Sequence, residues 1–113
     1  MEIDTRTPKI RLSGHSILRF AKRHEREVEM MPDDTKRGVE DTILRDLGKS
    51  ICWYDNQEEI VYMVYNQLRI YVGKLSDREL HILTEYPYKK NIKRRLNTLM
   101  RIENPLDRKE AMA

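Results

Sequence analysis

The chain contains one cysteine, Cys52, so it can close no internal disulfide. No Cys/His spacing suits a zinc site either. A lone thiol fits a reducing compartment. Its place in the apolar run 51–54 marks Cys52 as a small buried hydrophobe, not a nucleophile. Glycine is scarce, at four residues with no two adjacent, which excludes a Gly-rich phosphate loop. Long apolar runs are also missing. The longest, 60–65, has six residues, against the roughly 20 needed to span a bilayer. The opening Met1-Glu2-Ile3-Asp4 is acidic and lacks the apolar stretch of a secretory signal. These absences imply a soluble, cytoplasmic protein with no membrane partner. No cofactor and no metal ion is expected.

Charge, by contrast, is abundant. Of the 113 residues, 36% are charged and 39% hydrophobic, which suits one domain with a modest core. Residues 1–113 read as that single domain, with 1–8 and 106–113 as flexible tails. The net charge of +3 conceals an uneven distribution. Residues 29–60 carry four Lys/Arg against nine Asp/Glu, whereas 89–113 carry eight against three. An acidic middle between basic ends suggests an oriented electrostatic surface, although a solvated face carries charge too.

The hydrophobic period divides the chain. Residues 9–12 suit a short edge strand, and Ser13 suits a helix N-cap. Over 14–27, Ile17, Phe20, Ala21, His24 and Val28 share one helical face, with His15, Arg19, Lys22 and Arg26 opposite. Met30-Met31-Pro32 breaks this helix. Asp33 or Asp34 is placed to cap a second one over 35–47, with Gly48 at its C′ position. From Ser50 the pattern turns to β: strands at 51–54, 59–65, 68–74 and 79–86 are joined by turns too short for crossovers. They predict an antiparallel meander ended by Pro87. A third helix is expected over 89–102, stopped by Asn104-Pro105. The fold class is therefore α+β: two N-terminal helices, a four-stranded antiparallel meander and a C-terminal basic helix.

Three constellations are candidates for function. His15, Arg19 and Arg23 fall one helical turn apart. An imidazole beside guanidinium groups suits phosphodiester chemistry, because histidine moves protons near neutral pH and arginine holds phosphate. A solvated helix face has the same composition. Thr84 and Tyr86 point to one side of the last strand, with Glu85 on the other, so their hydroxyls are placed to bond a phosphate or a ring to stack on a base. An ordinary sheet rim is the plainer reading. Lys89, Lys90, Lys93, Arg94, Arg95 and Arg101 form a basic stretch with no acidic residue between 89 and 101, suited to a phosphate backbone or an acidic partner. His24, on the apolar face, reads as a satisfied core histidine. Tyr62, Tyr65 and Tyr71 offer either a stacking platform or half-buried sheet residues.

The opening His15-Ser16-Ile17-Leu18-Arg19-Phe20-Ala21-Lys22-Arg23 and the strand Ile82-Leu83-Thr84-Glu85-Tyr86-Pro87 resemble motifs of one branch of the small metal-independent RNase toxins of the barnase–EndoU–RelE-like group. The order of helices before a meander is similar too. His24-Glu25-Arg26 stands where that branch usually turns at a glycine. The resemblance covers residues 10–88 and implies RNA cleavage without metal. His15 would be the general acid/base, Arg19 and Arg23 would stabilise the scissile phosphate, and Thr84 with Tyr86 would bond it from the sheet. RNA or another polyanion is then the expected partner. A protein antitoxin or other acidic protein and a second copy of the chain are compatible protein partners. The alternative is a non-catalytic basic regulator of phage or plasmid type. It would bind nucleic acid or a nucleic-acid-processing machine.

Overall fold

The side chain of Ser13 starts the first helix and ties it to the sheet. Its Oγ accepts from the Ser16 amide at 3.0 Å and donates to the Leu83 carbonyl at 2.9 Å. The computed structural model describes residues 8–33, 35–76 and 78–107. Their order is β1 (Lys9–Leu12), α1 (Gly14–Arg23), α2 (Glu25–Glu29), α3 (Lys36–Gly48), β2 (Ile51–Asp55), β3 (Ile60–Tyr65), β4 (Arg69–Leu75), β5 (Glu79–Pro87), α4 (Lys90–Leu96) and β6 (Met100–Ile102). A 3-10 turn, Pro105–Asp107, follows.

The chain is α+β, and the expected four-stranded antiparallel meander, β2–β5, lies within a larger sheet among the described residues. The sheet has six strands in the order β1-β5-β4-β3-β2-β6. β1 pairs with β5 in parallel, and the other pairs are antiparallel. The expected closing helix over 89–102 is corrected, since α4 stops at Leu96 and Met100–Ile102 pairs with β2 as an edge strand. Trp53, across from Arg101, gives that short strand a partner the sequence did not reveal. The first helix is also corrected. It ends at Arg23, and His24 separates it from α2. The cap of the second long helix is Thr35. Asp33 instead accepts from the Thr35 amide at 2.9 Å, and Asp34 lies outside the described residues. The hydrogen bonds from the Thr35 side chain and amide hold the exposed Asp33 carboxyl below its ordinary pKa. Gly38 is required where α3 meets this turn, because a Cβ there would lie 1.9 Å from the Asp33 carbonyl oxygen. In the three-residue β3–β4 connection, 66–68, Asn66 and Gln67 both take positive φ, and the Leu68 amide closes the turn on the Tyr65 carbonyl at 2.8 Å. Of the expected tails, 1–7 and 108–113 lie outside the described residues, while Leu106 packs on the core and Asn104 is buried.

Helices and sheet meet in a layer of Phe20, Val39, Ile43 and Leu47 over Cys52, Val61, Met63, Tyr71, Leu80 and Ile82. The opposite sheet face carries a smaller cluster, Val64 and Ile70 under Leu96 of α4, with Trp53, Tyr62 and Tyr86 half-buried around it. Tyr62 thus lies on the α4 face while Tyr65 and Tyr71 lie on the helix face, so the three do not form one stacking platform.

Within the helix-side core sits a charge. Arg69 is 4% exposed and donates from Nε to Asp46 at 2.6 Å and to the Tyr71 hydroxyl at 3.2 Å. Its Nη1 reaches both Glu27 oxygens at 3.0 Å. The guanidinium also lies over the rings of Phe20 and Tyr65, at 4.9 and 5.0 Å from their centroids. Burial by itself lowers the Arg69 pKa. The Asp46 hydrogen bond and the charges of Tyr71, Asp46 and Glu27 outweigh it, so the group stays charged. One residue of β4 thereby joins α1, α2, α3 and β3.

Replacing Arg69 by Met leaves the buried Asp46 carboxylate without its cation. Urea denaturation should show a loss of about 3–5 kcal/mol, the usual result of breaking one side of a buried pair. Tyr71 gives a second expectation. Burial, then the charge and hydrogen bond of Asp46, push its pKa above the ordinary tyrosine value, against the opposing pull of Arg69. The folded state keeps this proton where the unfolded state releases it, so the contribution is full below pH ~10 and declines as pH rises further. Alkaline titration followed by phenolate absorbance should show one tyrosine ionising only as the protein unfolds, and Tyr71→Phe should remove that step.

Candidate nucleic-acid interface

β1 covers only the first part of β5, pairing Lys9–Leu12 with Glu79–Ile82. Beyond Ile82 the β5 edge carries no strand on that side. The start and end of α1 take its place. The Ser13 amide donates to the Ile82 carbonyl at 3.0 Å, Ser13 Oγ to Leu83, and Arg23 Nη1 to the Glu85 carbonyl. Unpaired edge carbonyls need donors. Here a capping serine and an arginine supply them, which holds α1 along the strand.

A bulge decides which β5 side chains face α1. Val72 is opposite Thr84 and Gly73 opposite Ile82, so Leu83 is the extra residue. Leu80 and Ile82 face the helices, and after the bulge Glu85 does so instead of Thr84. Thr84 and Tyr86 turn to the other face, where Tyr86 joins the α4 cluster. Glu85 is fully buried, and its Oε1 lies 2.8 Å from His24 Nε2. His24 also packs against Phe20, with ring centroids 4.9 Å apart. The histidine is therefore partnered and half-buried at the core's rim, not inside the core, and the partner was not foreseen.

The six expected cations divide. Lys89 precedes α4 as its N-cap, and Lys90, Lys93 and Arg94 are exposed along the helix. Arg95 is held 3.1 Å from Asp55 and bonds Tyr62, which raises its pKa. Arg101 lies on β6, outside the helix. Tyr86 is also raised, by burial and then by Tyr62, with Arg95 opposing.

Arg23 and Tyr86 line one open groove of ≈ 440 Å³ with Pro87, Lys89, Asn91 and Ile92. Each of the three sequence candidates contributes to it: Arg23 from α1, Tyr86 from the end of β5, and Lys89 from the basic stretch. His15, Arg19 and Thr84 do not line it. His15 Nε2 accepts from Arg19 Nε at 3.3 Å, an exposed pair eight and four residues before Arg23. At about 1.5 Å per residue, His15 stands roughly 12 Å from Arg23 along the helix axis. Thr84 is separated from that pair by the sheet, because the bulge turns it to the α4 face. Glu85 and the anchoring role of Ser13 were missed. No sequence pattern marked the shift, because the bulge puts the charged Glu85 on the helix face in place of Thr84, the reverse of what apolar periodicity selects.

No protein-family model matches the chain, and comparisons with curated proteins and with solved structures found no match. Among the described residues, no helix is long and apolar enough to cross a membrane.

Proposed function

We propose that the chain binds RNA in the groove of Arg23, Tyr86 and Lys89, and cleaves it without a metal ion. The observation that carries this reading is the groove's composition. A guanidinium holds a phosphate bidentately, an ammonium adds a point charge, and a phenol offers a ring for a base or a hydroxyl for a phosphate oxygen. The exposed Lys90, Lys93 and Arg94 continue the positive surface and would draw a polyanion toward it. Cleavage needs an imidazole to move a proton from the ribose 2′-hydroxyl, and Arg23 to stabilise charge developing on phosphorus oxygens. The motif resemblance assigns that imidazole to His15.

A second reading, a non-catalytic nucleic-acid-binding regulator, is favoured by one observation: His15 and Thr84 lie outside the groove. Both readings expect salt-sensitive binding, and only the first expects turnover. RNA incubated in EDTA should be cut by the wild-type protein. Intact RNA together with salt-sensitive binding would favour the regulator.

For either reading, Lys89→Ala should weaken binding to single-stranded RNA and lower the slope of log K against log salt by about 0.7, one phosphate's share. Arg23→Ala should cost roughly tenfold or more in affinity, as the loss of a charged hydrogen bond does. Arg37→Ala, on the exposed surface of α3, should leave binding unchanged. Equal losses at all three positions would mean diffuse attraction with no groove.

A further inference from the structure

The buried pair of Arg69 and Asp46 leaves polar atoms unused on both sides. Arg69 Nε serves Asp46 and Tyr71, and Nη1 serves Glu27, but Nη2 bonds no described residue. Asp46 accepts from Arg69 and from the Tyr71 hydroxyl on Oδ2 alone, so Oδ1 is also without a partner among the described residues. Both side chains are buried, at 5% exposure each. Among the described residues, Glu85 Oε2 is the one side-chain oxygen or nitrogen both sealed from solvent and without a hydrogen bond. Arg69 Nη2 and Asp46 Oδ1 are therefore not sealed. The cavity that these two residues line has a volume of ≈ 210 Å³, and Thr42, Arg45, Lys49 and Tyr65 complete its wall.

The lining narrows the chemistry of what fits. Thr42, Arg45, Asp46 and Lys49 follow one another at helical spacing along one face of α3 and its C-cap. Arg45 and Lys49 are exposed and make no ion pair among the described residues. The Thr42 hydroxyl donates back to the Gly38 carbonyl at 3.0 Å, so its proton is taken. The Tyr65 hydroxyl has no partner among the described residues. Three cations, Arg45, Lys49 and Arg69, thus line the cavity against the single carboxylate of Asp46. Glu27 is engaged on Arg69 Nη1 and is not part of the wall. This balance favours an anion. The volume is below the roughly 300 Å³ at which drug-sized pockets begin, which suits one small group. Asp46 Oδ1 adds a condition. A carboxylate only accepts, so the anion has to bring a proton of its own. Sulfate and a phosphodiester carry none near neutral pH. A phosphate that keeps a P–OH does, and its bond to a carboxylate is of the strong, charge-assisted kind.

We propose that this cavity binds a protonated phosphate group, either the free ion or the end of a phosphate monoester. Arg69 Nη2, Arg45 and Lys49 donate to its charged oxygens, and the Tyr65 hydroxyl adds a neutral donor. The P–OH donates to Asp46 Oδ1, which is what separates this ligand from other tetrahedral anions. The site shares no residue with the groove of Arg23, Tyr86 and Lys89 and does not depend on what that groove takes.

The test is proton–nitrogen NMR of the full chain, titrated at constant ionic strength with inorganic phosphate, methyl phosphate or sulfate. A pH of about 5.5 leaves a P–OH on both phosphates. The signals followed are the backbone amides of Arg45 to Lys49 and the Arg69 Nε–H. Phosphate should give a saturable shift confined to the cavity. Sulfate should bind at least ~10-fold more weakly, because it leaves Asp46 Oδ1 facing an acceptor. Arg45→Ala and Lys49→Ala, both at exposed positions, should each weaken phosphate by about fivefold or more. Asp46→Asn should erase the preference for phosphate over sulfate. Should that variant not fold, the wild-type ratio and the two exposed variants decide. Methyl phosphate bound as tightly as inorganic phosphate makes a monoester end the ligand, and its rejection makes the free ion the ligand. Three results overturn the proposal: no saturable shift, sulfate bound as tightly as phosphate, or an affinity unchanged in both Arg45→Ala and Lys49→Ala.

Discussion

The arrangement depends on one buried cation. Arg69 rises from the start of β4 into the helix-side core, where it meets Asp46 of α3, Glu27 of α2 and the faces of Phe20 and Tyr65. An apolar residue there would pack but would remove the charged anchor of α2 and leave that five-residue helix the half-buried contact of Val28 with the core. A helix so short does not persist alone in water. Its place is therefore set by Glu27 on Arg69, by Val28 on the core and by the chain entering from His24. The buried ion pair specifies where the helices sit more than it stabilises them, because desolvation of both charges offsets much of the attraction.

The second constraint is the single inserted residue at Leu83. A regular β5 would present Thr84 and Tyr86 to the helices and Glu85 to α4. The bulge reverses this and has two consequences. Glu85 comes under His24, creating a buried acid–imidazole pair. Tyr86 comes to the α4 face, where it meets Lys89 and the end of Arg23. Bulges re-aim side chains at sites of function in many folds. Here the same insertion supplies both the groove wall and the pair behind it. The short β1 matters equally: by ending at Leu12 it leaves the edge carbonyls of Leu83 and Glu85 for Ser13 and Arg23 to bond.

Much of the fold was legible in the sequence because its signals are local. The β-former run over 60–65, the alternation over 68–74, the turn at Asn66-Gln67, the Ser13 cap and the apolar spacing of Val39, Ile43 and Leu47 each need only neighbouring residues to be read. What was missed depends on distant partners. β6 is three residues long and exists because β2 offers an edge to Met100–Ile102. The parallel pairing of β1 joins residues about seventy positions apart. The break at His24 coincides with its contacts to Glu85 and Phe20, and no proline or glycine marks it in the sequence. The site was legible as residue types, in that Arg23, Tyr86 and Lys89 were all singled out. Their grouping without His15 and Thr84 was not, since it turns on a bulge that leaves no mark in composition.

The charge asymmetry of the chain acquires a location from this geometry. Arg23 at the end of α1 and Lys89 just before α4 line one groove at the end of β5, and two acidic residues of the middle segment, Asp46 and Asp55, are paired with Arg69 and Arg95. The central claim is that RNA lies across the end of β5 between α1 and α4. Photo-crosslinking to RNA carrying 4-thiouridine, followed by mass spectrometry of the crosslinked peptides, addresses it directly. The account predicts crosslinks concentrated at Tyr86 and its neighbours through Ile92. Crosslinks confined to α3, or to the β6 edge around Arg101, would contradict it.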